Sequence, residues 1–224
     1  RGKFNGDGRW SAALFRTDLL DDIQFISSGG AINAGYFQNI GKTRRQGMEL
    51  GLAHKIGALD LSARYSLIRA SFESAFTVHS PNNSSANADG DINIEPGNKV
   101  SGVPQQAFKL RADYSFDENF SIGANWVTVS SQYARGDENN QDANGKIGGY
   151  GVINLDARYQ ANNELNFFIK INNLLNKKYY TFGVLGENFF TGPGNTYDNI
   201  NARPELFVSS AAPLGAWLGI EYKF

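Results

Sequence analysis

Cysteine is absent from the 224 residues, methionine occurs once and histidine twice. Without thiols the chain has no disulfide framework and no thiolate metal site. The histidines, His54 and His79, are far apart in sequence, so neither a zinc site nor a pair of axial haem ligands is expected from them. Charge of one sign is also missing: 21 basic and 22 acidic residues leave a net charge of −1. That balance, scattered rather than clustered, gives no electrostatic footprint for nucleic acid. No run of about 18 apolar residues occurs, which argues against a transmembrane helix, and mean hydropathy is −0.38. Residues Arg1 to Gly8 contain no apolar core and no small-residue cleavage site, so no signal peptide is expected there. The patterns GxSxG, HExxH and the phosphate-binding loop are absent, so no catalytic residue, resident metal or cofactor is expected and the chain does not read as an enzyme.

What is abundant is glycine, 25 residues, beside 13% aromatics, the materials of strands, turns and interfacial girdles. Apolar and polar residues alternate with period two along most of the chain, and no segment sustains a helical period. The expected strands are 9–19, 22–28, 43–56, 59–73, 106–116, 119–134, 150–160, 164–173 and 214–224. In the segment at 108–116, Phe108, Leu110, Ala112, Tyr114 and Phe116 oppose Lys109, Arg111, Asp113 and Ser115. In the segment at 165–172, Phe168 is the one break in the pattern. Full charges at mid-strand cannot sit unpaired in a packed core, so the polar faces must meet water.

The last ten residues, Gly215 to Phe224, place Ala216, Leu218, Ile220, Tyr222 and Phe224 on one face and Trp217, Gly219, Glu221 and Lys223 on the other. A free end of a soluble domain normally frays, whereas a terminal aromatic suits the lipid interface of a membrane β-strand. Connections support the same reading. Those at 20–22, 57–59, 117–119 and 161–163 are short, and those at 29–42, 74–105, 135–149 and 174–213 are long. Structureless loops beyond about 12 to 15 residues are uncommon in compact domains, while membrane barrels combine tight periplasmic turns with long external loops. Counting back from a periplasmic C-terminus puts the four short turns on the periplasmic side and the N-terminus outside. Nine strands is odd, where single-chain bacterial barrels have an even number. Either one boundary is misplaced or the chain is a piece of a larger barrel.

Four segments carry a resemblance. They are Asn39-Ile40-Gly41-Lys42-Thr43-Arg44-Arg45-Gln46-Gly47-Met48-Glu49, Ile94-Glu95-Pro96-Gly97-Asn98-Lys99-Val100-Ser101-Gly102-Val103-Pro104, Asn173-Leu174-Leu175-Asn176-Lys177-Lys178-Tyr179-Tyr180 and the terminal Gly219-x-x-Tyr222-x-Phe224. In order and spacing these resemble the C-terminal part of the barrel of a TonB-dependent outer-membrane receptor. The resemblance implies an all-β transmembrane antiparallel barrel, with residues 1–224 supplying about nine of 22 strands and with the plug domain and TonB-contacting segment outside this chain. It also implies uptake of a scarce nutrient such as a ferric siderophore across the cell outer membrane with energy from TonB. Implied partners are the lipid bilayer and lipopolysaccharide, the barrel-insertion machinery reading Gly219, Tyr222 and Phe224, and a metal chelate or other small nutrient. Trp217 departs from the assembly signal, which usually has a polar residue there.

Candidate ligand contacts are the aromatic and arginine residues of the long loops: Tyr133, Arg135, Phe189, Phe190, Tyr197 and Arg203. They could offer stacking faces and a fixed cation to an anionic chelate, or simply pack the loops and the outer girdle. Asp89-Gly90-Asp91-Ile92-Asn93 opens like a calcium loop, but Ile94 and Val100 stand where the turn glycine and bidentate glutamate belong, which leaves a solvated asparagine-rich loop. The sequon Asn83-Ser84-Ser85 reads as a flexible loop tip. The competing architecture is a self-contained small barrel acting as a passive pore or surface adhesin, which would pair its first strand with its last.

Overall fold

The computed structural model describes residues 1–27 and 35–224, and every regular element among them is a β-strand. In chain order the first nine are β1 (Gly2–Phe4), β2 (Gly8–Leu19), β3 (Ile23–Ser27), β4 (Gly35–Asn39), β5 (Thr43–Ile56), β6 (Leu59–Phe72), β7 (Phe76–His79), β8 (Asp91–Ile94) and β9 (Gln106–Ser115). The rest are β10 (Phe120–Val129), β11 (Gln132–Tyr133), β12 (Lys146–Ile147), β13 (Tyr150–Gln160), β14 (Leu165–Asn172), β15 (Tyr180–Asn188), β16 (Arg203–Ser210) and β17 (Gly215–Tyr222). Nine of them make one antiparallel wall in the order β1-β2-β5-β6-β9-β10-β13-β14-β17, and the other eight pair as the ribbons β3–β4, β7–β8, β11–β12 and β15–β16. The wall is open, with β1 and β17 at its edges, so among the described residues there is no first-to-last pairing of a self-contained barrel.

Eight of the nine expected strands are wall strands. The segment 22–28 is not: its described part is β3, paired with β4 in a ribbon, and residue 28 lies outside the described residues. Its alternation of Ile23 and Phe25 with Gln24 looks like that of a wall strand, but Asp22 faces the loop's return. The Asp22 N–H donates to Gly41 O at 2.8 Å, the Ile40 N–H donates to Asp22 O at 2.9 Å, and Thr43 Oγ1 donates to Asp22 Oδ2 at 2.6 Å. Residues 20–22 are therefore the base of a long loop, not a tight turn, and β2 runs toward the loop end, opposite to the direction expected. The ninth wall strand is the short β1, missed because only three residues pair. The expected strand 119–134 is likewise interrupted after Val129, and residues 132–133 leave the wall to join β12.

The register separates two faces. Directly opposed residues point the same way, so one apolar surface runs Trp10–Leu52–Ala63–Leu110–Trp126–Ile153 and then, toward the other edge, Leu155–Ile171–Ala216. The opposite face carries Arg64, Lys109, Arg111, Asp113, Asp156 and Lys170. At its centre Arg111 bridges two strands: Nε donates to Asp113 Oδ2 at 2.8 Å and Nη2 to Asp156 Oδ2 at 2.9 Å. Gly123 lies between these carboxylates in the register, and a Cβ there would collide with the guanidinium. The mid-strand charges of Arg111, Asp113 and Asp156 are thus paired on the polar face.

The tight turns are fixed by their own side chains. Asp117 Oδ1 accepts the N–H groups of Asn119 and Phe120 at 2.7 and 2.8 Å. Asn162 Oδ1 does the same for Glu164 and Leu165 at 2.9 and 2.8 Å, the local trap that makes Asx residues turn formers. Aromatics gather at this end: Tyr114–Phe116 and Phe116–Phe120 are 4.8 and 5.0 Å apart, and Tyr222–Phe224 5.2 Å.

Candidate functional site

At the opposite end the four ribbons fold over the rim. Ala70 and Phe72, whose register puts them on the polar face, are buried, and Phe72 joins Ile26, Ile40, Val78, Ile92 and Ile94 in an apolar cluster. The first two loops therefore lean over the polar side of the wall. Ile92 and Ile94, in β8, are buried, so the stretch after Asp89 is half of a packed ribbon and not the solvated loop expected. Its turn is an Asx device, with Asn87 Oδ1 accepting the N–H groups of Asp89 and Asp91 at 3.0 and 2.9 Å.

Asn83 likewise contradicts its reading as a flexible tip. It is 3% exposed and ties the second loop to the third: Nδ2 donates to Gly136 O at 2.9 Å and to Asn139 Oδ1 at 3.2 Å, and Ser80 Oγ donates to the same carbonyl at 2.8 Å. From the third loop Asn139 Nδ2 donates back to Ser85 Oγ at 2.8 Å. Asp142 Oδ2 accepts the Ser84 N–H at 2.7 Å, and Asp137 Oδ1 accepts the Asp142 N–H at 2.9 Å. Asp137 is fully buried. Burial and the nearby Asp142 charge push its carboxyl up to about 6 despite that N–H, and burial also raises Glu138.

The loops enclose a cavity of about 380 Å³, lined among others by Phe25, His79, Arg135, Glu138, Glu187, Phe189 and Phe207. His79 is oriented by Asp91, its Nδ1 lying 2.9 Å from Asp91 Oδ1. Arg135 is placed by its backbone: its N–H donates to Gly183 O at 3.0 Å and its carbonyl accepts the Leu185 N–H at 2.8 Å. The guanidinium lies 6.0 Å from the Phe182 ring and leaves the residue exposed. Aromatic faces, an exposed guanidinium, an imidazole and two carboxylates around a void offer binding chemistry for a small polar ligand with aromatic parts.

Of the six residues expected to contact a ligand, Arg135 and Phe189 line this cavity together. Phe189, Phe190 and Tyr197 form an aromatic group at the tip of the last loop, with centroid separations from Tyr197 of 6.0 and 6.3 Å. Tyr133 lies outside that lining, its ring flanked by Lys99 and Lys146, each 5.8 Å away. Arg203 opens β16 opposite Asn188 and also lies outside the lining. Nothing local in the sequence marks His79, Glu138 or Glu187 as cavity residues, because neighbouring loops enclose them.

The motif segments have local roles. Asn173, at φ 51°, is a clasp at the base of the last loop: its Nδ2 donates to Lys177 O at 2.9 Å and Ala212 O at 3.2 Å, while its Oδ1 accepts the Lys177 N–H at 2.9 Å. Asn176 Oδ1 accepts the Leu214 N–H at 3.0 Å. Gly97, at φ 100°, follows Pro96 across the end of β6, where its N–H donates to Phe72 O at 2.8 Å.

An antiparallel wall with one apolar face, an aromatic end with tight turns and an end of long packed loops defines the wall of a membrane β-barrel. Residues 2–174 match the family model for the TonB dependent receptor-like β-barrel, and the chain belongs to that family of outer-membrane receptors. It is 30% identical over 174 residues to PiuA of Acinetobacter baumannii, described as a probable TonB-dependent siderophore receptor, covering 76% of this chain and 21% of the relative. The metal-pseudopaline receptor CntO of Pseudomonas aeruginosa is 24% identical over 201 residues, 84% of this chain and 26% of the relative. The crystal structure of the siderophore receptor PiuA superposes with a TM-score of 0.68 at 22% identity, covering 99% of this chain and 27% of that one. The chain thus spans about a quarter of the length of these relatives.

Proposed function

We propose that these residues are the C-terminal wall and part of the ligand-capturing loops of a receptor that imports a ferric siderophore across the outer membrane with energy from the TonB system. On this reading the plug and the TonB-contacting segment are carried by chain outside these residues. The loops hold the chelate, and force from TonB displaces the plug. The observation that carries the reading is the inter-loop cavity in which Arg135 and His79 can meet an anionic chelate while Phe25, Phe189 and Phe207 pack against its rings. PiuA and CntO, named as siderophore and metal-pseudopaline receptors, support that cargo class. The chain's chemistry in this scheme is recognition: no bond of the cargo is made or broken.

The test is growth of a strain lacking the full-length receptor on iron supplied as ferric siderophores, with cobalamin and sugars as the alternative nutrients. Loss of growth on a ferric siderophore, restored by the receptor only when TonB is present, is the expected result. A defect confined to cobalamin or a sugar would overturn the cargo, and rescue without TonB would overturn the energy source. For the purified receptor, Arg135→Ala is expected to weaken chelate binding about tenfold or more, the usual loss for a hydrogen-bonded charge contact.

A further inference from the structure

We propose that Glu138 is a specificity-determining residue of the inter-loop cavity: as a neutral carboxylic acid it donates a hydrogen bond to an anionic oxygen of the cargo. The assignment rests on the cargo reading above and narrows it to chelates that present such an oxygen. Glu138 is only 5% exposed, yet it lines the cavity. Its Oε1 accepts the Gly136 N–H at 3.0 Å, which leaves Oε2 for another partner. No cation lies within 4 Å of this carboxyl among the described residues. The preceding side chain, Asp137, is fully buried as well, and its Oδ2 has no hydrogen-bond partner among them.

Two adjacent carboxyls enclosed in this way cannot both be charged, because an unpaired carboxylate out of water costs more than taking up a proton. Burial is the largest influence on Glu138 and raises its carboxyl, as does the Asp137 charge. The N–H groups of Gly136 and of Glu138 itself, and the Arg135 charge, lower it without offsetting that rise. The other charged groups around it are His79, oriented by Asp91, Arg135, Glu187 from β15, and Asp137 with Asp142 behind it. Glu187 is exposed to solvent, so Glu138 is the enclosed one of the two carboxyls in the lining. An ionised Glu138 would repel the anionic cargo that Arg135 attracts, whereas a neutral one adds a donor whose bond to a charged oxygen is of the strong kind. The donor form is the one present at low pH, and it is lost as pH rises through the raised folded value.

The experiment uses the full receptor containing this chain, purified in detergent, and two probes, an anionic ferric tris(catecholate) and an uncharged ferric tris(hydroxamate). Affinities are measured by calorimetry between about pH 6 and about pH 9, a range into which burial moves carboxyls. Glu138→Gln keeps an acceptor and an N–H donor and carries no charge at any pH, so the ratio of native to Glu138→Gln affinity cancels the chelate's own protonation. For the tris(catecholate) this ratio is expected to fall about tenfold or more as pH rises. The fall is expected to persist when both chains also carry His79→Gln or Asp137→Asn, which remove the neighbouring titrations. Glu138→Ala is expected to weaken tris(catecholate) binding about tenfold or more at the acid end, and tris(hydroxamate) binding about fivefold or less. A ratio that does not change with pH would overturn the proposal. So would tighter tris(catecholate) binding by Glu138→Gln at the acid end, the result that a charged Glu138 requires. A second measurement needs no cargo: in the Asp137→Asn background, the infrared carbonyl band of a protonated carboxyl is expected at the acid end and is lost on adding Glu138→Gln. If the band does not change, the neutral carboxyl is overturned whatever the cargo. If the band behaves as expected and neither chelate binds, the cargo reading falls and takes the donor role with it.

Discussion

Phe168 breaks the alternation of its strand, and Gly219 belongs to the terminal motif; one contact accounts for both. The two are directly opposed in the register of β14 and β17, and a Cβ on Gly219 would enter the Phe168 ring. The ring covers the glycine, a device that restores packing where a strand residue has no side chain. Gly219→Val is therefore expected to lower the yield of membrane-assembled receptor several-fold, and Phe168→Ala in the same chain to restore part of it, as measured by heat-modifiable migration on gels. Full yield of the single variant would show that the contact is not required. Sequence singled out Gly219 by resemblance and Phe168 as an anomaly, but their partnership depends on register, which joins residues some fifty positions apart.

Among the elements, the wall strands were legible and the ribbons were not. Strands of eight or more residues repeat the two-residue period often enough to be distinctive, and a lipid-facing side forces that period. The ribbons β7–β8 and β11–β12 pair over only four and two residues, and contacts between loops fix their shape. The clearest such contact is the junction of Asn83 with Gly136 and Asn139, beside the buried Asp137. Because the folded carboxyl of Asp137 is raised from 3.8 to about 6, the folded junction binds its proton more tightly than the unfolded chain. The contribution to stability is fully present below about pH 4 and is lost as pH rises through about 6. Amides of residues 83–85 and 139–142 are expected to be better protected at pH 4.5 than at pH 7.5, after correction for intrinsic exchange, and Asp137→Asn is expected to reduce that difference, leaving the part that belongs to the buried Glu138. Asn83→Ala, which leaves the Gly136 carbonyl and Asn139 with fewer partners, is expected to loosen the same amides at both pH values by about 1 to 3 kcal/mol of opening free energy.

For the whole molecule, the assignment of faces makes a sharp contrast. Leu52→Arg, on the apolar face, is expected to cost about 2 to 4 kcal/mol if it lies near the midplane, whereas Ser66→Arg, on the polar face of the neighbouring strand, is expected to cost little. Reversible denaturant unfolding of the receptor in lipid vesicles reads the difference, and equal costs would reverse the faces. Phe224→Asp probes the proposed assembly signal. It is expected to reduce membrane assembly while leaving the chelate affinity of assembled protein unchanged, and normal membrane yield would remove the signal from that residue.

Sequence by itself determined the barrel wall, because alternation is a local property: each residue's face follows from its neighbours, and a face with mid-strand charges must be wet while its opposite is not. It also located the tight turns at 57–59, 117–119 and 161–163, whose Gly, Asp and Asn residues bend the chain through their own backbone or side chains. Only the tertiary structure decided that 20–22 lies at the loop end, that Asn83 is buried, and that Arg135 and Phe189 share a cavity with His79 and Glu138. Each of those depends on pairing between distant segments, and register and loop packing are set by contacts that no local period encodes.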